Sequence, residues 1–304
     1  MNYEAFRTEL GELLRSRNPS KIVTINQNIK NNDVILYGLS MREQDEHISC
    51  NIYLESFYDD FVEGRSLESI VNKIEQDVQE HICDIEYDIV QKVNEFDFVK
   101  DKIIYKLINT EYNHEFLKDV PHRDWMNLSI IYKIDLGEYG DHTASINVTN
   151  NLLKIWNTTE EELFALAKVN TPKRRKLCIK GLFYVVENMI SNFSDTEINE
   201  SFINECRQRC EDMLVVTNEV MIEGAVSILY EETLEELKQR IGNRFYVIPS
   251  SVHEMLVIGE EDREGMKLFI NEMIKDVNDS KVAYIEILSN NAYFYNGEEF
   301  EMIQ

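Results

Sequence analysis

The chain has few cysteines and no long apolar run, and these shortages exclude several classes of protein. Its 304 residues include five cysteines, an odd number without a CxxC pair, so neither a disulfide framework nor a four-cysteine zinc site is predicted. The longest apolar runs, MLVV and GAVSILY, are far shorter than the roughly 20 residues of a membrane-spanning helix. The acidic first stretch, MNYEAFRTELGELL, lacks the basic and apolar regions of a signal peptide. We therefore expect a cytoplasmic protein with reduced thiols.

Basic residues are also scarce, because 31 Lys and Arg stand against 56 Asp and Glu and leave a net charge of −25. The acidic excess is spread along the chain, except over residues 121–180. Such a surface repels nucleic acid and anionic membranes and attracts basic proteins. We expect a basic protein partner or self-association, and no direct contact with nucleic acid or membrane. The alternative is that the acidic surface only keeps the protein soluble.

The pattern of helices and strands predicts an α+β fold with mainly antiparallel sheets, because the two element types mix without a regular βαβ alternation. Residues 21–42 predict a hairpin that turns at Asn31-Asn32-Asp33. Residues 96–109, FDFVKDKIIYKLIN, are interpreted as a helix, and residues 143–156, TASINVTNNLLKIW, as strand. Two units are predicted, an N-terminal unit of helix, hairpin and helices (1–115) and a C-terminal α+β unit (116–304).

Individual residues predict where two helices begin or end and where a further hairpin turns. A threonine precedes the acid-rich first turn of TTEEELFALAKVN, where acids offset the helix dipole. Gly242 is placed to end the amphipathic helix TLEELKQRIG. Asn296-Gly297 predicts the turn of a closing hairpin, AYFYNGEEFEMI.

The stretch YVIPSSVHEML, residues 246–256, concentrates polar residues after an apolar run. Ser251 and Glu254 have the spacing of a capping box at the start of a helix turn. The competing interpretation is a hydrolase, in which a serine is the nucleophile, a histidine the base and an acid its orienter. Its candidates are Ser250, Ser251, His253, Glu254, His122 and Asp124. The sharper hydrolase motif GxSxG is absent.

Two further polar segments are candidates for binding. PHRDW supplies Arg123 and Asp124 as candidate binding residues, although a structural turn accounts for them as well. His122, His253 and Glu254 are potential metal ligands without any supporting spacing, so no metal is predicted. TPKRRK, residues 171–176, is a basic run that binds phosphate or nucleic acid in some proteins and complements an acidic patch, including one on a second copy, in others. A glycine-rich phosphate loop is missing, and no cofactor is expected.

Seven segments, in order, resemble an uncharacterised bacterial family that carries a domain of unknown function and occurs in anaerobic Gram-positive genomes. They include W-x5-E-L-x3-A-x2-N-T-P at residues 156–172 and P-S-S-x-H-E at residues 249–254. These two motifs and L-S-x-x-x-Y-x-Y at residues 288–295 also resemble, more distantly, a second uncharacterised bacterial family of similar size. The resemblance implies no established activity, cofactor or catalytic residue. It points to conjugative or integrated genetic elements as a genomic setting.

Two functions from different classes are therefore predicted. The first is a non-enzymatic accessory protein that binds a basic protein, with mimicry of nucleic-acid phosphates as one form of this role. Helical acids that would form such rows are Glu75, Glu80, Glu232, Glu235 and Glu236. The second is a hydrolase built on the serine, histidine and glutamate cluster, which requires those side chains to converge in one pocket.

Overall fold

A computed structural model describes residues 1–44, 51–80, 92–139, 142–193, 212–260 and 265–304, together with residues 207 and 210. Helices and mainly antiparallel strands are both present, which confirms the predicted α+β class. The helices are α1 (Tyr3–Arg17), α2 (Glu55–Val62), α3 (Leu67–Glu80), α4 (Phe96–Val99), α5 (Asn150–Trp156), α6 (Glu160–Arg174), α7 (Leu182–Phe193), α8 (Glu231–Ile241) and α9 (Ile270–Lys281). The strands are β1 (Ile22–Ile29), β2 (Ile35–Arg42), β3 (Ile52–Tyr53), β4 (Ile103–Asn109), β5 (His122–Trp125), β6 (Leu128–Tyr139), β7 (His142–Asn147), β8 (Leu177–Gly181), β9 (Met213–Asn218), β10 (Phe245–Ser251), β11 (Glu254–Gly259), β12 (Tyr293–Tyr295) and β13 (Phe300–Met302).

The N-terminal part has a small core of its own. Strands β1 and β2 form an antiparallel hairpin, and β3 extends the sheet beside β2. The predicted turn is confirmed, since residues Asn31–Asp33 form a single turn of 3-10 helix between the two strands. Phe6, Leu10 and Leu14 of α1 are fully buried against this sheet and α3, which follows from their spacing on one helical face.

The larger core lies between two sheets and the helices that cover them. A six-stranded sheet has the order β13-β12-β10-β11-β9-β8, and a four-stranded sheet has β4-β6-β5 with β7 also paired to β6. Strand β4 pairs with β6 along its whole length, from Ile103 opposite Ile134 to Asn109 opposite Leu128. Residues 103–109 therefore share a sheet with β5, β6 and β7.

Two segments differ from the sequence prediction. Within residues 96–109, only α4 and the 3-10 turn that follows it at Lys100–Lys102 are helical, and the apolar run after them is strand β4. Six of the seven residues of β4 are buried, so its pattern is a continuous apolar run that periodicity does not distinguish from a buried helix. Residues 143–156 are strand only as far as Asn147. The rest is α5, whose first turn is capped by the Thr149 hydroxyl accepting from the Leu152 amide at 3.3 Å.

The described helices include none that is both long and apolar enough to span a bilayer. Neither Cys178 nor Cys210 takes part in a disulfide. Cys50, Cys83 and Cys206 lie outside the described residues.

Candidate functional site

The stretch SSVHE forms the tip of the hairpin between β10 and β11. The Ser251 hydroxyl accepts a hydrogen bond from the His253 amide at 3.0 Å, and the Ser250 hydroxyl donates to the Glu254 carboxylate at 3.2 Å. Ser251 and Glu254 are cross-strand partners, so the predicted capping box at a helix start is wrong. The apolar runs on both sides pair with each other as strands, and this pairing places the polar residues in a tight turn.

The His253 ring supports a neighbouring loop. Its Nδ1 accepts from the Glu223 amide at 3.1 Å, which places the ring proton on Nε2, 3.7 Å from a Glu286 carboxylate oxygen. The other candidate base, His122, is at the start of β5, with its Nδ1 3.1 Å from the Val120 carbonyl oxygen. Within the described residues, no hydrogen bond joins a serine hydroxyl to either of these two imidazole rings. The triad geometry that a serine hydrolase needs is thus not formed there.

Glu223 lies at the centre of a largely buried group of charges. Its carboxylate accepts from Lys106 at 3.0 Å and from Lys133 at 2.7 and 2.8 Å. Lys133 is opposite Ile104 in the sheet, so it shares a face with Lys106, two residues further along β4. Burial alone would raise the pKa of Glu223, but the two lysines lower that pKa to about 2. Burial lowers the pKa of Lys133, and Glu223 only partly offsets this.

The basic run TPKRRK contributes to the same region. Asp135 is 2% exposed, and its carboxylate accepts from Arg174 at 3.0 Å and from Arg175 at 2.8 Å. Arg174 also donates to the Asp135 carbonyl at 3.0 Å. Both arginines thus bind within the protein at the end of α6. Lys176, the next residue, is exposed, and its Nζ lies 3.6 Å from Oε2 of Glu219.

These charges form one group, which we call the ionic cluster, since Lys133 and Asp135 are two residues apart in β6 and therefore share one face of the sheet. The charge of Arg175 also contributes to lowering the pKa of Lys133. Four cations surround two carboxylates, and the members are Lys106, Lys133, Asp135, Arg174, Arg175 and Glu223. The pairing holds together strands β4 and β6, the end of α6 and the loop after β9. The cluster is therefore a structural junction whose cations exceed its anions by two.

The loop that carries Glu223 is tightly constrained. Glu223 has a left-handed backbone with φ of 52°. A Cβ atom on the next residue, Gly224, would lie 2.7 Å from the His253 carbonyl oxygen and 2.8 Å from the Asn218 amide nitrogen. Only glycine fits this position, so the loop is clamped between β9 and the β10–β11 hairpin.

The candidate binding residues of PHRDW have separate structural roles. The Arg123 guanidinium binds both oxygens of Glu160, at 3.0 and 2.7 Å, and lies 4.2 Å from the centre of the Phe164 ring. The Tyr132 hydroxyl donates to the same carboxylate. Burial acts to raise the pKa of Glu160, but the bonds from Arg123 and Tyr132 bring it below the usual value. Asp124 is exposed on β5, where it pairs with Ser129 in the ladder.

Sequence reasoning missed the centre of the ionic cluster, although one signal for it exists. The tetrapeptide IIYK occurs twice, at residues 103–106 and 130–133, and each copy places a lysine inside an apolar strand. A lysine in such a place requires a carboxylate partner, because an unpaired buried charge is strongly unfavourable. Among the described residues, no group of three or more His, Cys, Asp or Glu side chains is arranged to hold a metal ion.

The model of a family of unknown function, DUF5688, matches residues 3–297. The chain belongs to this family. The DUF5688 match covers nearly the whole chain, so the resemblance to an uncharacterised family is confirmed. No curated protein and no solved structure matches the chain.

Proposed function

We propose that this DUF5688 protein is a non-enzymatic accessory protein whose acidic surface binds a basic protein partner. The observation that carries the proposal is the location of the basic run. Its two arginines are bound to the buried Asp135, so half of the cations in the segment best suited to bind phosphate are already engaged within the protein. With 56 acids against 31 bases, the remaining surface is dominated by carboxylates.

Helix α8 presents the clearest row of such carboxylates. Glu232 and Glu235 are exposed, and neither has a cationic partner in the described part of the chain. Glu236, on the same helix, pairs with Arg240. On α3, Oε2 of Glu75 lies 3.5 Å from Nη1 of Arg17, and Oε1 accepts a hydrogen bond from the Asn18 side-chain amide. This carboxylate therefore already has partners within the protein.

The more specific form of the proposal is that the α8 row stands in for nucleic-acid phosphates on a basic protein of a mobile element or a defence system. Carboxylates at helical spacing offer a basic groove the charge that it otherwise takes from a phosphate backbone. Attraction of this kind is long-ranged and is weakened by salt.

A comparison of two charge-neutralised variants tests the proposal. The α8 variant is Glu232→Gln with Glu235→Gln, and the matched control on α9 is Asp276→Asn with Asp279→Asn, also exposed. Both remove two charges. A labelled nine-residue oligolysine peptide is the probe, and fluorescence anisotropy at two salt concentrations measures its affinity. We expect salt-sensitive binding that the α8 variant weakens more than the control. Equal losses in the two variants would show that only net charge acts, and absence of binding would refute the proposal.

A further inference from the structure

A cleft of about 340 Å³ opens between α6 and the beginning of α8. Tyr105 of β4 contributes to its lining, α6 forms one wall, and the segment entering α8 forms the other. The polar and ring-bearing residues that line it are Tyr105, Lys168, Pro172, Tyr230, Glu231 and Glu232. The volume is large enough for a long side chain, and none of the lining residues is a member of the ionic cluster.

Tyr105, a buried residue that lines the cleft, has a hydroxyl without a partner among the described residues. The residue is 3% exposed, and its ring lies 6.3 Å from Phe164 and 6.5 Å from Tyr230, measured between ring centroids. The Tyr230 hydroxyl donates to the Arg175 carbonyl at 3.0 Å, whereas the Tyr105 hydroxyl has no hydrogen bond to any described residue. Burial raises the pKa of Tyr105, and the charge of Glu231 raises it further. Because Tyr105 lines the cleft and its hydroxyl is unpaired, that hydroxyl is available to a ligand.

The residues that line the cleft carry further hydrogen-bond acceptors. Pro172 lies inside α6 and has no amide hydrogen, so it cannot donate to the Lys168 carbonyl one turn earlier. At the mouth, Glu231 lies 2.7 Å from Lys168 Nζ, and Glu232 is exposed without a described cationic partner. Lys168 is the one cation among the lining residues, against two carboxylates.

We infer that this cleft binds the arginine side chain of a basic partner, an inference that rests on the proposed function. A guanidinium group is planar, stacks on aromatic rings and presents five donors in a fixed geometry. The cleft offers matching features, with two tyrosines, an unpaired hydroxyl, a helix carbonyl that lacks its usual amide donor and two carboxylates, one of them paired with Lys168. A lysine ammonium is compact and strongly hydrated, and it uses fewer of these acceptors at once.

The test uses changes that leave the net charge unaltered. Tyr105→Phe removes the unpaired hydroxyl, and Pro172→Ala restores the amide that occupies the Lys168 carbonyl. Neither is expected to weaken the fold, because the first removes an unbonded polar atom and the second introduces a better helix former. The control is Tyr246→Phe, at a tyrosine that is likewise 3% exposed but lies in another apolar cluster.

Affinities for labelled nine-residue oligoarginine and oligolysine are measured by fluorescence anisotropy at equal, low ionic strength. We expect the wild type to prefer oligoarginine, and each cleft variant to weaken that binding by about 3- to 10-fold, the usual effect of one hydrogen bond. Oligolysine binding and the Tyr246→Phe control should change by less than about 2-fold.

The outcomes separate this inference from the proposed function. Binding of both peptides with unchanged affinity in both cleft variants would overturn the cleft assignment and leave the acidic surface as the binding element. Equal weakening for oligoarginine and oligolysine would overturn the assignment to arginine. Failure of the wild type to bind either peptide would overturn the proposed function together with the inference.

Discussion

Replacing Glu223 by glutamine is the most direct perturbation of the ionic cluster. The substitution preserves the size of the side chain and removes its charge. Lys106 and Lys133 then share a largely buried site without their carboxylate, since their side chains are only 14% and 12% exposed. Two like charges in such a place repel each other and lack compensation for lost hydration.

The expected loss of unfolding free energy is about 3 kcal/mol at neutral pH. Removal of one partner from a fully buried ion pair costs about 3–5 kcal/mol, and the 25% exposure of the Glu223 side chain places this case at the lower end. The pKa leads to a similar figure. It falls from 4.5 to about 2 on folding, which corresponds to a stabilisation on the order of 3 kcal/mol.

The same pKa sets the pH at which the effect disappears. Because the folded pKa is below the unfolded one, the stabilisation is complete above about pH 5 and is lost as the pH falls from about 4.5 towards 2. The difference in stability between the wild type and Glu223→Gln should therefore be largest at pH 7 and small at pH 2.5.

Urea unfolding followed by circular dichroism at pH 7, 4 and 2.5 measures this difference. Glu219→Gln is the control on the same loop, because Glu219 is 47% exposed and its lysine neighbour 70% exposed, and its effect should stay within about 0.5 kcal/mol. Adding Lys106→Met and Lys133→Met to Glu223→Gln should recover most of the loss. A cost below about 1 kcal/mol at pH 7, or a cost that persists at pH 2.5, would refute the reasoning.

Three other substitutions probe the surrounding structure, each measured by urea unfolding. Asp135→Asn should cost about 3 kcal/mol, because it leaves two arginines facing a neutral side chain, and a cost near zero would mean that the arginines move to solvent. Gly224→Ala should cost about 3 kcal/mol or more or prevent folding, whereas Gly181→Ala, where nothing lies within 4 Å of the new Cβ, should fold normally. Ser251→Ala should cost about 1 kcal/mol through the lost bond from the His253 amide, and an unchanged free energy of unfolding would contradict that contribution.

The parts of the fold that followed from sequence depend on contacts between residues close in the chain. Thr159 caps α6, Gly242 ends α8 with φ of 92°, and residues 293–302 form the predicted closing hairpin. Each signal acts over a few residues, through a side chain that bonds a nearby amide or a backbone that only certain residues adopt. Sequence is sufficient for such features because the interacting groups are only a few residues apart along the chain, so they meet whatever the rest of the fold is.

Longer-range pairing decided the rest, including the candidate site. Strand β4 was mistaken for a helix because its identity depends on β6, which pairs with it along its length. The SSVHE turn became a hairpin tip because apolar strands on both sides pair with each other. Lys106 and Lys133 find Glu223 across 117 and 90 residues of chain, and the sequence contains many other acids that were equally plausible partners. Composition determined that the protein is acidic. That buried lysines need carboxylates is general chemistry. Only the tertiary structure determined which carboxylate meets them, because that choice depends on how the sheets and the loop after β9 pack together.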